Sequence, residues 1–211
     1  MYERASYLAA SPHTNSTLIR GSGIALRTRK VILAAGAVFA LGSVLGIATI
    51  SAATAAPKQG GNTGNGTISA VTLKTDAKLG IYTVRMTDAT HFDVHDPDGL
   101  LLEEAVAVGA AVSNDLGFTV TAGGTAFAVG DGFDITVAPG SNKAKLAAAA
   151  GLDGSDEPSL VLPYAVDATG GDVEAMAYES GDFIEENLVF GDGITPDGAR
   201  EGLRRKNITY G

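Results

Sequence analysis

The chain has 211 residues, with 24 acidic against 15 basic side chains, a net charge of −9, and no cysteine or tryptophan. The missing cysteines exclude a disulfide framework, a thiolate metal site and a cysteine nucleophile. The length allows one large domain or two small ones, and 28 glycines beside few aromatics suit a β-rich chain with tight turns. The charge is uneven. Residues 1–56 carry Arg4, Arg20, Arg27, Arg29 and Lys30 against Glu3 alone, for +4, whereas residues 57–138 and 139–211 come to −6 and −7. A small basic arm on an acidic body is not a nucleic-acid footprint, because the body repels phosphate.

Residues 1–20 mix Ser, Thr, Asn and Pro with scattered apolar residues and show no periodicity. They read as an extended arm, poorly ordered when free, with Tyr2, Tyr7, Leu8, Leu18 and Ile19 available to dock on a surface. From Val31 to Pro57 there is no charged residue. About 20 apolar residues suffice to cross a bilayer as a helix. Arg27, Arg29 and Lys30 precede the run, and Ser51-Ala-Ala-Thr-Ala-Ala56 has the small residues of a cleavage site. Residues 27–56 therefore have two readings. One is a signal or membrane anchor of an exported β-domain protein. The other is a set of short core strands, because Gly36, Gly42, Ser43 and Gly46 interrupt the run and Val, Ile and Thr favour strands.

The glycine-rich stretch 57–66 reads as a flexible linker, since it lacks the Gly-Lys-Ser/Thr ending of a phosphate loop. Residues 67–138 alternate as an independent β unit. Thr67–Leu73, Ile81–Met86, His91–His95, Leu100–Val108, Gly117–Thr121 and Asp131–Val137 are predicted strands, with a turn at Asp96-Pro-Asp-Gly99. Turn signals about every ten residues suggest a small sandwich or barrel. Lys143–Ala150 is open between helix, from its alanines, and strand, the favoured reading. Leu160–Val166 and Val173–Tyr178 read as strands, and Phe183, Leu188 and Phe190 as anchors of an irregular piece. Thr195-Pro-Asp197 is a helix start and Arg204-Arg-Lys206 a helix end, with Asn207 closing it at positive φ and Ile208–Tyr210 a final strand.

No constellation for chemistry stands out. His91 and His95 have helical zinc spacing, but Phe92 occupies the position where the H-E-x-x-H signature needs Glu. They read as exposed strand histidines beside a turn. Asp96 and Asp98 are explained by turn formation, and Asp93, Asp131 and Asp134 by solvated strand faces; the calcium loop pattern with its closing Glu is absent. Glu103-Glu104 and Glu185-Glu186 are adjacent, so on a strand they point oppositely. There is no G-x-S-x-G elbow. These readings assign no catalytic residue, no metal and no cofactor.

Ordered phrases along the chain carry a resemblance. Val31, Leu33, Gly36, Phe39, Gly42, Val44, Leu45 and Gly46 fit a V-x-L-x-x-G-x-x-L-x-x-G-x-V-L-G pattern, with Phe where Leu is usual. Asp153-Gly-Ser-Asp, Gly181-Asp-Phe-Ile-Glu-Glu-Asn-Leu-Val-Phe-Gly191 and Leu203-Arg-Arg-Lys-Asn-Ile208 follow in order. Between them, Gly80-Ile-Tyr-Thr-Val84, Asp96-Pro-Asp-Gly99 and Phe127-Ala-Val-Gly-Asp-Gly-Phe-Asp-Ile-Thr-Val137 match phrases of a module inserted in longer members. Over most of residues 14–210 the chain resembles the phage head decoration protein family. The resemblance implies a mainly β, non-enzymatic virion protein: a decoration β core with a short C-terminal helix, plus an inserted small β-sandwich or barrel. It implies residues 1–20 as a capsid-docking arm, 21–56 and 139–211 as a discontinuous core, and 57–138 as linker and insert. It implies a homotrimer on the outer surface of the expanded head, assembled in the host cytoplasm, with the major capsid protein as partner and neither nucleic acid nor membrane. Tyr2, Arg4, Tyr7, Leu8, Leu18 and Arg20 are the expected capsid-binding residues of the arm.

Overall fold

The structure, a computed structural model, describes residues 17–21 and 23–211. The strands of the N-terminal part are β1 (Ile19–Gly21), β2 (Arg27–Leu33), β3 (Val38–Phe39), β4 (Val44–Ile47) and β5 (Ile50–Pro57). Next come β6 (Thr67–Ile68), β7 (Thr72–Leu73), β8 (Gly80–Met86), β9 (His91–His95), β10 (Leu101–Ala107), β11 (Ala111–Ser113), β12 (Leu116–Thr121) and β13 (Gly132–Pro139). The C-terminal part holds β14 (Ala144–Leu146), β15 (Leu160–Val161), β16 (Val166–Asp167), β17 (Val173–Phe183), α1 (Pro196–Arg205) and β18 (Ile208–Tyr210). The protein is mainly β with one short C-terminal α-helix among the described residues, as the sequence implies.

The apolar run after Lys30 is broken into strands. Val31 and Leu33 point inward from β2, and Val44 and Leu45 are fully buried on β4. Gly42 lies between β3 and β4 at φ +79°, where an L side chain is strained and a Cβ would run into the Asn187 carbonyl. Gly36 and Gly42 are thus turn residues of a β core at positive φ, and Gly46 lies within β4, where a Cβ would run into the Ser155 carbonyl. No helix among the described residues is long and apolar enough to cross a membrane.

β17 organises the barrel. Its first part pairs antiparallel with β2 from Val173↔Leu33 to Ser180↔Arg27, and Tyr178 pairs with Val161 of β15. β15 pairs with β4, β4 with β14, and β14 with β2 through Ala144↔Leu33. The ring β2–β17–β15–β4–β14 is therefore closed, which removes free edges. Leu33, Leu45, Leu160 and Leu162 fill it. Beyond Ser180, β17 runs on to pair with β1 and with β18, and α1 covers this end. Thr195 caps α1 by accepting the Gly198 N–H at 3.1 Å, with Pro196 in the first turn. Asn207 follows it at φ 60°. Leu203 and Ala199 of α1 pack on Leu18, Phe183, Ile208 and Tyr210.

The segment between β4 and β14 forms two more sheets, β10-β9-β8-β13-β5 and β11-β12-β6, with β7 also on β12. They enclose their own core, in which Tyr82, Val84, Phe92, Val120 and Ile135 are fully buried. Burying such side chains stabilises by roughly 1.5–3 kcal/mol each. The sequence expectation differs here in three places. Residues 50–56, expected with the decoration core, pair with β13 together with Pro57, from Pro57↔Phe133 to Ile50↔Pro139, and Ile50 belongs to this second core. Thr67–Leu73, expected as one strand, is two short ones, both on β12. Residues 57–66, expected as a flexible linker, are tied down, and Pro57 is the last residue of β5. Asn62 exchanges two 2.9 Å bonds with the Gly132 backbone, and Asp131 accepts the N–H groups of Thr63 and Gly64 at 2.9 and 2.8 Å. Gly64 is a close-approach glycine, since a Cβ there would sit 2.7 Å from the Ala126 carbonyl oxygen and the Phe127 Cα.

Candidate functional site

The N-terminal root is held by the end of β17. Leu18 is fully buried beneath α1. Its carbonyl accepts the Ile184 N–H at 2.9 Å, and Asn187 Nδ2 donates to the Thr17 carbonyl at 2.5 Å. β1 pairs antiparallel with β17, Ile19 opposite Phe183. Arg20 grips Asp182 with both arms of its guanidinium, at 3.1 and 2.8 Å, and Thr209 Oγ1 donates to the same carboxylate at 2.7 Å. The guanidinium chiefly, with the Thr209 hydroxyl, holds the Asp182 carboxyl below its usual range. Two of the six expected arm residues are thus engaged inside this chain. Leu18 is a core residue, and Arg20 is an ion-pair clamp at the base. Tyr2, Arg4, Tyr7 and Leu8 lie outside the described residues.

Beside this root, Arg200 on α1 bonds Glu185 at 2.7 Å, donates to the Tyr210 carbonyl at 2.8 Å, and stacks 4.8 Å over the Tyr210 ring. The short 3₁₀ turn Glu185–Asn187 is fixed between α1 and the N-terminal segment. Phe183 and Leu188 are buried there, and Phe190 packs against Tyr210, ring centroids 5.8 Å apart.

The second feature is a pair of buried carboxylates in the segment between β4 and β14. Asp96 is the turn residue expected: Oδ1 accepts the N–H groups of Asp98 and Leu100 at 2.9 and 2.8 Å, and Lys78 Nζ lies 2.5 Å from Oδ2. Asp131, expected on a solvated face, is 2 % exposed and accepts three backbone N–H groups, the third from Ala128 at 3.0 Å. Its neighbours in sequence, Gly130 and Gly132, gave no sign that it faces inward. Lys78 lowers the Asp96 carboxyl first, and the three N–H donors lower Asp131. A carboxyl lowered on folding stabilises above its unfolded pKa, near 3.9, and that contribution is lost as pH falls through the folded value. The urea midpoint is therefore expected to hold from pH 7 to 5 and to drop below about pH 4, with Asp131→Asn flattening the acid limb. An unchanged limb in the variant would remove Asp131 from the account.

His91 and His95 lie on one face of β9, where His91 Nδ1 meets Asp88 at 3.0 Å. Among the described residues no group of three His, Asp or Glu side chains is placed to hold a metal ion.

Fold and site together define a mainly β protein built on a small closed barrel, with its N-terminal segment rooted at a sheet edge. The family model described as Bacteriophage lambda head decoration protein D matches residues 7–205, and the chain belongs to that family. Membership gives it a structural role, decorating the phage capsid. No curated protein sequence matches the chain. Two crystal structures of Xanthomonas campestris FlgL match at 20% and 21% identity, with TM-scores of 0.34 and 0.33. They cover 48% of this chain and 34% and 33% of theirs, so the chain spans about a third of FlgL. A likeness that low carries no argument.

Proposed function

We propose that the chain binds as a homotrimer to the outer surface of the major capsid protein lattice and stabilises the expanded head, without catalysis. The family match over residues 7–205 carries this reading. In it, residues 1–16 are the docking arm. Backbone pairing with a capsid strand supplies affinity along a long footprint, and three arms engaged at once multiply it. Ordering such an arm costs roughly 1–2 kcal/mol per residue, so Tyr2, Tyr7 and Leu8 must bury apolar surface, with Arg4 pairing a capsid carboxylate at the rim. Leu18 and Arg20 act as the root that transmits the load. The insert between β4 and β14 folds on its own core and stands apart from attachment.

Deletion of residues 1–16 tests the arm. The shortened protein is expected to keep its melting temperature and its oligomeric state but to stop co-sedimenting with expanded heads. Undiminished co-sedimentation would move attachment to the barrel or the insert.

A further inference from the structure

The two edges of the five-stranded sheet are built differently. β10 carries Glu103 and Glu104, and its register on β9 shifts between Leu101 and Glu103 and again between Glu103 and Val106. Ala105 sits in the second shift at φ 51°. Charges and bulges of this kind keep an edge from pairing with other strands. β5, the opposite edge, has neither a charge nor a break in register from Pro57↔Phe133 to Ala53↔Val137.

The unpaired groups of β5 can be assigned. Lys58 N–H donates to the Gly132 carbonyl at 3.0 Å. By antiparallel alternation, Ala56 and Thr54 also bond to β13, while Ala53 and Ala55 turn N–H and C=O outward. No described group bonds to them from that side; β7 comes near β5 but pairs with β12 instead. The side chains of Ala52, Thr54 and Ala56 are exposed.

An open edge takes an extended strand, and this one is self-complementary. Ala52-Ala-Thr-Ala-Ala56 reads the same in both directions. Turned about a twofold axis through Thr54, the strand meets a second copy antiparallel, with Ala53 opposite Ala55 and Ala52 opposite Ala56. The outward groups of Ala53 and Ala55 then bond in both chains, and Thr54 faces Thr54, a favourable cross-strand pair. The contact also avoids the repulsion that a chain of net charge −9 meets elsewhere. β5 is uncharged, and Asp134, the residue opposite Ala56, is ion-paired with Arg85. We propose that the β5 edge joins a second copy of this chain across a twofold axis, continuing the five-stranded sheet into a ten-stranded one. One strand pair buries less than the roughly 1,200 Å² of a stable interface. The contact is therefore weak between free molecules and gains by repetition where copies are held side by side. It does not depend on the arm or on the trimer.

Cysteine cross-linking of the full chain tests it, since the protein has no cysteine of its own. Thr54 would face its twin as a non-hydrogen-bonded pair, about 4.5 Å between Cα atoms, within disulfide reach. Under mild oxidation at high protein concentration, Thr54→Cys is expected to give a disulfide dimer as the main product. Ala52→Cys alone is expected to stay uncrosslinked, and a mixture of Ala52→Cys with Ala56→Cys to cross-link. Unchanged melting temperatures would confirm that the exposed substitutions leave the fold intact. Equal yields from Thr54→Cys and Ala52→Cys would mean random collision and overturn the proposal. A Thr54→Cys protein that melts normally, reacts with a thiol reagent and forms no dimer would also overturn it, and would leave the edge to a different virion protein.

Discussion

Deleting residues 1–20 is expected to unfold the helical end of the barrel, where deleting residues 1–16 leaves it standing. The four residues between the two end points do different work from the arm before them. Leu18 is 0 % exposed among Tyr178, Phe183, Leu203 and Ile208. Truncating a buried leucine to alanine costs about 2–5 kcal/mol. The longer deletion also removes the β1 pairing with β17, the Ile184 to Leu18 bond, and the partner of Asp182. In the Arg20–Asp182 pair the arginine is 46 % exposed and the carboxylate 14 %; with one side open to solvent the pair contributes on the order of 1 kcal/mol, so Leu18 dominates. Against a net stability of about 5–15 kcal/mol, the loss is large. Leu18→Ala alone should lower the unfolding free energy by about 2–5 kcal/mol in urea titration, with Arg20→Ala much milder. A 21–211 chain that melts like the full-length protein would show that Leu18 is not structural. Any binding assay on that chain would also confuse loss of the arm with loss of fold.

Asp131→Ala is expected to be the most damaging single change in the segment between β4 and β14. One carboxylate satisfies the N–H groups of Thr63, Gly64 and Ala128, tying the stretch after β5 to the loop before β13. Without it, three main-chain donors lose their acceptor, and an unsatisfied buried donor is costly. The melting temperature should fall on the order of 10 °C, and the amides of residues 58–66 should exchange freely. Asp131→Asn keeps one carbonyl oxygen and should lie between. Alanine at Asp98, whose side chain is exposed and shares Lys78 with Asp96, should change little. Equal effects of Asp131→Ala and Asp98→Ala would contradict the assignment.

The contrast between these residues explains what was legible in the chain. Asp96 was readable because Asp-Pro-Asp-Gly is a local turn signal, satisfied within four residues. Asp131 was not, because its donors at Thr63 and Gly64 lie more than sixty residues away and no local pattern marks them. Local signals also carried α1, through Thr195, Pro196 and Asn207, and the strands of the insert, through alternation of Tyr82, Val84 and Met86 or Phe92 and Val94. The engagement of Leu18 and Arg20 within the chain was hidden for the same reason as that of Asp131. Leu18 and Arg20 look like the rest of a polar, aperiodic terminus, and only the place of β17 beside them makes one a core residue and the other a clamp.

By itself, the sequence determined the β class, the C-terminal helix with its caps, the turns, and through ordered phrases the family. All of these depend on neighbours within a few residues, or on the order of motifs along one dimension. Tertiary structure alone decided that β2 and β17 close a barrel, that Ile50–Pro57 leaves it to join the five-stranded sheet, and that the glycine-rich stretch after it is tied to Asp131. It also decided which edge of that sheet stays open. Those outcomes depend on which strand lies beside which. Backbone hydrogen bonds, which every residue can make alike, satisfy that choice without writing it into side-chain periodicity.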